Sequence, residues 1–356
     1  MGTGPREGSG RRPGACRLAV DKLAHVCSTV YERVRNQEER MAGIPFDRPA
    51  GVIAACILPF AEDLSIDEAE YRRHVRAVSS VPGLSGMAQT ELDLATYDEN
   101  LCVLDMMLEE VGGRLPVSFG LHPWDHRDLK AFVRRAEAAG ASAFTVRPPR
   151  AMAGGGQRKP EVALTHFRMI AEATSLPLIV YQYPLASGLG YPLATLVRMA
   201  EEIPSVVAVK DWCNDAALHQ KHIRTLGALT RPINVITAHS SWLMASLAMG
   251  CAGLCSSVGA VISDLQVALW QAVQAEDLAA ARRINDRIVP ITQALYDLEP
   301  VDLHTGTKEA LVVLGRLKRA VTRPPMTRLT TAEVARIRKA AVESGLLSAS
   351  AELRAV

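Results

Sequence analysis

Several classes of function are excluded by what this chain has little of. Aromatic residues make up 5% of its 356 positions, and 40 lysines and arginines are nearly cancelled by 38 aspartates and glutamates. No basic run stands out beyond the amino terminus, so both the charge footprint and the stacking surface of a nucleic-acid binder are missing. No uninterrupted apolar stretch is long enough to cross a bilayer. The seven cysteines, Cys16, Cys27, Cys56, Cys102, Cys213, Cys251 and Cys255, include no Cys-x-x-Cys pair and fall mostly inside regular elements. That spacing excludes a disulfide scaffold and points to a reducing cytoplasm.

What is present is apolar and periodic. At 48% hydrophobic the chain can bury one large barrel or two ordinary domains, and regular alternation of strand and helix patterns favours the barrel. Eight runs read as strands: 51–58, 84–88, 115–121, 143–147, 176–181, 206–210, 234–237 and 253–257. Between them lie stretches such as 66–81, 129–139, 191–203 and 216–229, with apolar positions recurring every three or four residues. Eight such units predict an α/β fold, a (β/α)8 TIM barrel over residues 48–262.

From 263 to 356 the pattern is helical only, over 265–298, 307–317 and 331–346, which predicts a C-terminal helical subdomain packed on one side of the barrel. Thr331 is its expected N-cap, with Glu333 in the first turn. Residues 1–47 form a basic extension. Its first 14 residues are rich in Gly, Pro and Arg and too apolar-poor to offset chain entropy, and 16–40 can form an amphipathic helix. Asp21 and Lys22 interrupt any signal-peptide core, so an oligomer contact or an ill-defined extension is expected.

The strongest chemical signal is Lys210, which closes the run Val206-Val207-Ala208-Val209 and precedes Asp211. Valine-rich runs of this length suit a parallel strand covered on both faces, and a lysine at the strand end can reach a pocket where one in the middle could not. An amine taken out of water is a nucleophile toward carbonyl carbon. One strand–helix unit earlier, 176–180 ends in Tyr181-Gln182-Tyr183-Pro184, so a phenol stands at the same end as the amine. In a parallel barrel, catalytic groups collect at those carboxyl ends. A phenol beside an amine can move protons as a carbinolamine forms and collapses.

At these residues the chain resembles the N-acetylneuraminate lyase and dihydrodipicolinate synthase family of Schiff-base aldolases, over about residues 50 to 347. The resemblance is carried by Gly51-Val52-Ile53, Leu58-Pro59-Phe60, Ser65-Ile66-Asp67, His166-Phe167-Arg168 with Ile170-Ala171, Leu178-Ile179-Val180-Tyr181 with Pro184, Val207-Ala208-Val209-Lys210-Asp211, Gly250 with Gly253-Leu254, and Arg323-Pro324-Pro325. It implies that Lys210 forms the Schiff base and Tyr181 shuttles protons. It further implies a small-molecule 2-oxo acid and an aldehyde as partners, no cofactor or metal because the iminium is itself the electrophile, and a homo-oligomer, tetramer or dimer.

Departures from the family pattern bear on substrate. Two threonines before Gly-Glu are common after the second strand, whereas this chain reads Ala88-Gln89-Thr90-Glu91, leaving Gln89 and Thr90 as expected substrate contacts. The arginine that dihydrodipicolinate synthases carry after the tyrosine-strand proline is replaced by Ala186. Pro148-Pro149-Arg150 stands where a tyrosine pair is usual, and Arg150 is open to two readings, a replacement anion ligand or a rim charge. Trp212, His239 with Trp242, and Ser257 add further expected contacts at the mouth. These changes point to a lyase of the aldolase or hydratase-aldolase type rather than a true dihydrodipicolinate synthase. The alternatives are a dehydratase of 2-keto-3-deoxy sugar acids and a catalytically weak carbonyl-binding regulatory protein.

Three other features read as bystanders. His219 and His222, one helical turn apart, lack a converging third ligand and read as a solvated helix face, and His122 with His126 flank a loop proline without metal-site spacing. Gly154-Gly155-Gly156 lacks the spacing of a phosphate loop and reads as a mobile loop over the barrel mouth.

Overall fold

Eight parallel strands close on themselves in sequence order, each hydrogen-bonded to the next and the eighth to the first. The structure is a computed structural model that describes residues 46–89, 91–121, 126–298 and 303–348. Contacts divide the chain into Met1–Ala42 and Gly43–Val356, and the first unit lies outside the described residues, as does most of the expected extension. The strands are β1 (Gly51–Cys56), β2 (Gly86–Gln89), β3 (Val117–Leu121), β4 (Ala143–Val146), β5 (Leu178–Gln182), β6 (Val206–Asp211), β7 (Asn234–Thr237) and β8 (Gly253–Leu254). Several are shorter than their apolar runs, because residues such as Ile57, Leu58 and Ser257 continue the chain past the last ladder bond.

Barrel closure has a local cause. Gly51 pairs with Gly253, and a Cβ at Gly253 would stand 2.3 Å from the Gly51 carbonyl oxygen. No side chain fits between strands at that approach. Alternation along the strands then produces two cores. Ile53, Ala55, Ala88, Ala143, Ile179, Ala208 and Ile236 point inward and fill the barrel, with Phe46 packed among them. Their neighbours point outward into a larger core under the helices. The inward residues are mostly small, as a narrow barrel axis requires.

The helices begin where the sequence supplies caps. The helix Glu68–Ser79 is capped by Asp67, whose side chain accepts from the Glu70 amide, and Tyr97–Val111 carries a full capping box between Thr96 and Glu99. After β8 comes a helix over Gly259–Gln274, kinked at Ile262 (φ −127°, ψ 30°) and packed on β1. The helical stretch expected over 265–298 is broken, because Asp277 caps a separate helix, Leu278–Tyr296. Leu303–Val313 and Thr331–Glu343 complete the group, and these four helices pack on one another. The last helix is capped by Thr330, not Thr331. A capping box puts the glutamate three positions after the cap, and Thr330 with Glu333 has that spacing while Thr331 does not.

Candidate active site

Alternation decides which side chains enter the barrel mouth. On β6, Ala208 points inward and so does Lys210, while Asp211 turns outward toward the helices. On β5, Ile179 and Tyr181 share the inward face, and register sets Tyr181 opposite Lys210. The Lys210 amine lies 4.7 Å from the centroid of the Tyr181 ring, and the residue is 2% exposed. Among the described residues no carboxylate pairs with that amine. Tyr183 stacks obliquely on Tyr181 at 4.7 Å, and Trp212 meets Tyr183 edge-on at 5.6 Å.

These groups line a cavity of about 270 Å³ at the carboxyl ends of the strands. Arg147, Asp93, Glu91, Ser256 and Ser257 also face it, and Tyr296, Leu303 and His304 close it from the carboxyl-terminal helices. The helical group therefore does more than flank the barrel, because Tyr296, Leu303 and His304 form part of the wall at its mouth. A second cavity, of about 360 Å³, shares Trp212, Tyr296 and Leu303 as a common wall and adds Asn214, His239 and Gln293. His239 stacks on Trp242 at 4.1 Å and 16°, and Asn214 holds its Nε2 at 2.8 Å.

Burial raises the Tyr181 phenol above its ordinary range, with the nearby Arg147 charge acting against it, and pushes Tyr183 up to about 12. Both phenols are therefore protonated at neutral pH. Each keeps a proton to give.

The expected contacts separate in space. Lys210, Tyr181, Trp212 and Ser257 line the first cavity, and Trp212 and His239 line the second. Gln89 turns outward and accepts from the Tyr71 hydroxyl at 2.8 Å, so it does not face the cavity. Arg150 is exposed at the start of a 3-10 turn, Arg150–Gly154, and does not line it either; Arg147, three residues earlier, does. The inward positions of β4 run Ala143, Thr145, Arg147, so alternation alone carried the signal that distinguishes the two arginines. Thr90 and the His122 and His126 side chains lie outside the described residues. The triple-glycine segment folds into two 3-10 turns held by buried Met152 and by a Gln157 amide donating to the Leu185 carbonyl.

His219 and His222 are not a solvated face. Both are buried, and both Nδ1 atoms lie 2.8 Å from Asp211 Oδ2, while the Cys213 amide donates to Oδ1 at 2.9 Å. The helix Ala216–Gly227 lays this side against β6, whose outward Asp211 is the converging group. Asp211, Cys213 and His222 do bring ligand atoms within 4.8 Å of one another. Both carboxylate oxygens are already engaged by N–H donors, so the cluster works as a hydrogen-bonded lock behind Lys210.

The lock has a pH signature. Burial alone would lower His219, but its bond to Asp211 outweighs this and holds it at about 9; Asp211, which burial would raise, is held far below the usual carboxylate range by the two imidazoles. A raised group contributes stability that is complete below its unfolded value, about 6.5, and lost as pH climbs through the folded one. Stability should therefore decline from about pH 6.5 to about pH 9, and His219→Gln should flatten that decline when urea midpoints are compared across the range. An unchanged slope would contradict this assignment.

Two of the segments that carry the resemblance, Leu58-Pro59-Phe60 and Arg323-Pro324-Pro325, meet in one place. Arg323 makes a fork with Glu99 at 2.5 and 2.7 Å, donates to the Leu64 and Leu94 carbonyls, and lies over the Phe60 ring. Beside it, Lys308 pairs with Glu91 at 2.7 Å, and Glu91 also accepts from the Leu58 amide. The loop after β2 is thereby tied to the carboxyl-terminal helices.

A closed (β/α)8 barrel with a cavity over the carboxyl ends of its strands, into which a few polar groups project, is the architecture of a barrel enzyme. The chain is matched over residues 48–343 by the model of the dihydrodipicolinate synthetase family. It belongs to that family, whose members are lyases. It is similar to a 4-hydroxy-tetrahydrodipicolinate synthase of Nitratidesulfovibrio vulgaris strain Miyazaki F, 29% identical over 83% of this chain and 99% of the relative. A Rhodopseudomonas palustris enzyme of the same name is 29% identical over 86% of this chain and all of its own length. Among solved structures, a prophage protein of the family from E. coli K12, in complex with pyruvate, superposes with a TM-score of 0.76 at 20% identity, covering 84% of this chain and 99% of its own. A monomeric dihydrodipicolinate synthase variant gives 0.75 at 24% identity, covering 85% and 99%.

Proposed function

We propose that this protein is a Schiff-base-forming lyase acting on pyruvate or another 2-oxo acid, of the aldolase or hydratase-aldolase type. The observation that carries the reading is the buried Lys210 amine 4.7 Å from the Tyr181 ring, inside a cavity at the barrel mouth. The amine adds to the ketone carbon, Tyr181 gives a proton to the oxygen, and water leaves as the carbinolamine collapses to an iminium. The iminium accepts the electron pair released when the adjacent carbon–carbon bond breaks. Accepting that pair makes the enamine; a proton added to its carbon returns the iminium, and water then hydrolyses it, which frees the 2-oxo acid and restores the amine. The lock on Asp211 supports this role, since it fixes the strand end that carries Lys210.

The acceptor is read from the walls. Trp212, Tyr296 and Leu303 separate two adjoining cavities, giving room and apolar surface for an aldehyde larger than aspartate semialdehyde. Ala186 is part of an exposed turn, Leu185–Ser187, and offers no guanidinium to a second carboxylate. A lost charge-assisted contact costs about 1.5–3 kcal/mol, or one to two powers of ten in rate. Condensation of pyruvate with aspartate semialdehyde should accordingly be slow, and aromatic aldehydes should turn over faster. The test is cyclic-product formation from the first pair, run beside an aromatic aldehyde and a 2-keto-3-deoxy sugar acid. Efficient cyclisation with the other two inert would overturn the acceptor reading.

Two coarser expectations accompany this proposal. Among the described residues no helix is long and apolar enough to cross a membrane, and five described cysteines are unpaired, which supports work in a reducing cytoplasm. Assembly as a homo-oligomer rests on the family resemblance.

A further inference from the structure

Three consecutive strands present a guanidinium, a phenol and an amine in one row. Val146 of β4 is in register with Val180 of β5, so Arg147 follows at the level of Tyr181, which in turn pairs with Lys210 of β6. All three belong to the inward-pointing set, and all three line the first cavity. The Arg147 guanidinium carbon lies 5.9 Å from the Tyr181 centroid and the Lys210 amine 4.7 Å from the same point. Tyr181 stands on the strand between them, so the guanidinium and the amine approach its ring from the two neighbouring strands and enter the cavity together.

Arg147 and the carboxylate it holds differ in exposure. The Arg147 side chain is 12% exposed, whereas that of its ion-pair partner Asp93 is 50% exposed and stands on the loop after β2 at the cavity edge. A buried guanidinium paired through its Nη1 with a half-exposed carboxylate is suited to exchanging it for a carboxylate that arrives in the cavity, which a guanidinium can take through two parallel N–H bonds. At the end of β2, Ala88 has no side-chain donor and Gln89 is turned away to Tyr71.

We infer that Arg147 is the specificity-determining ligand for the carboxylate of the 2-oxo acid, and that Asp93 is the internal carboxylate which that group displaces. The inference rests on the Schiff-base reading of Lys210 and deepens it. It predicts that the protein distinguishes a 2-oxo acid from its uncharged ester, and that this distinction resides in one side chain.

The experiment compares pyruvate with methyl pyruvate, which has the same ketone without the charge. Half-saturating concentrations are read from borohydride capture and, without any need to trap an adduct, from calorimetric binding. In the native protein pyruvate should saturate at about 10- to 100-fold lower concentration than the ester, the range expected for a charge-assisted fork. Arg147→Gln should raise the pyruvate value by a similar factor and leave the ester where it was. Asp93→Asn, a change at a half-exposed loop position that does not endanger the fold, should leave pyruvate binding as tight or tighter. Equal loss for acid and ester in Arg147→Gln, a retained preference, or weakened pyruvate binding in Asp93→Asn would each overturn the inference. If no ketone is captured by the native protein while calorimetry still shows the Arg147-dependent preference, the Schiff-base reading fails and the carboxylate site stands.

Discussion

Lys210→Ala is expected to lower turnover about a thousandfold or more, the scale seen when a covalent nucleophile is removed, while the protein folds normally. The two halves of this result have separate physical causes. Turnover falls because, among the described residues, no other lysine lines the cavity with Tyr181. Stability survives because Lys210 is 2% exposed and, among the described residues, makes no ion pair, so its truncation removes a buried amine along with a few methylene contacts. Strained or unpaired groups at active sites commonly lower stability, so a melting temperature equal to or slightly above that of the native protein is the expected reading. Thermal melts and steady-state rates on the same preparation check both halves. Turnover within tenfold of native would remove Lys210 from the chemistry, and a large loss of stability would give it a structural role instead.

The second large effect is on folding. Lys308→Met should destabilise the protein by about 3–5 kcal/mol, because it leaves Glu91 buried without its counter-charge. The pair is nearly inaccessible, with side-chain exposures of 0% for Lys308 and 3% for Glu91. The Leu58 amide satisfies one oxygen of Glu91 and the lysine the other. Lys308 also lies 4.7 Å over the Phe60 ring, a contact that methionine keeps in shape but not in charge. Adding Glu91→Gln to Lys308→Met should restore part of the loss, since a neutral amide is less costly to bury than an isolated carboxylate. Urea midpoints for the two single variants and the double variant measure this. A cost below about 1 kcal/mol for Lys308→Met, typical of a surface pair, would show that the clamp does not hold the loop.

Much of this molecule is legible in its sequence, for reasons that differ by element. The barrel strands are legible because parallel strands covered on both faces are continuous apolar runs, and 234–237 coincides with β7 residue for residue. Strand ends were less so, since apolar residues such as Leu58 serve the core beyond the last ladder bond. Lys210 and Tyr181 stood out as polar groups closing such runs. Arg147 did not, because Pro148-Pro149-Arg150 drew attention to the later arginine and only inward-outward counting from Ala143 separates them. His219 and His222 were hidden by the three-residue spacing that also describes a solvated face. Their converging partner is Asp211, adjacent to Lys210 in sequence, and an outward carboxylate at a strand end has to find donors on the covering helix. The wall contributed by Tyr296 and Leu303 depends on how the last helices pack at the mouth, which no local pattern encodes.

The measurement that reaches the central claim most directly is borohydride reduction of the native protein in the presence of pyruvate, followed by peptide mass mapping. One adduct per chain is expected, on the peptide that contains Lys210, dependent on pyruvate and absent from Lys210→Ala. An adduct on any other lysine, or none at saturating pyruvate, would contradict it.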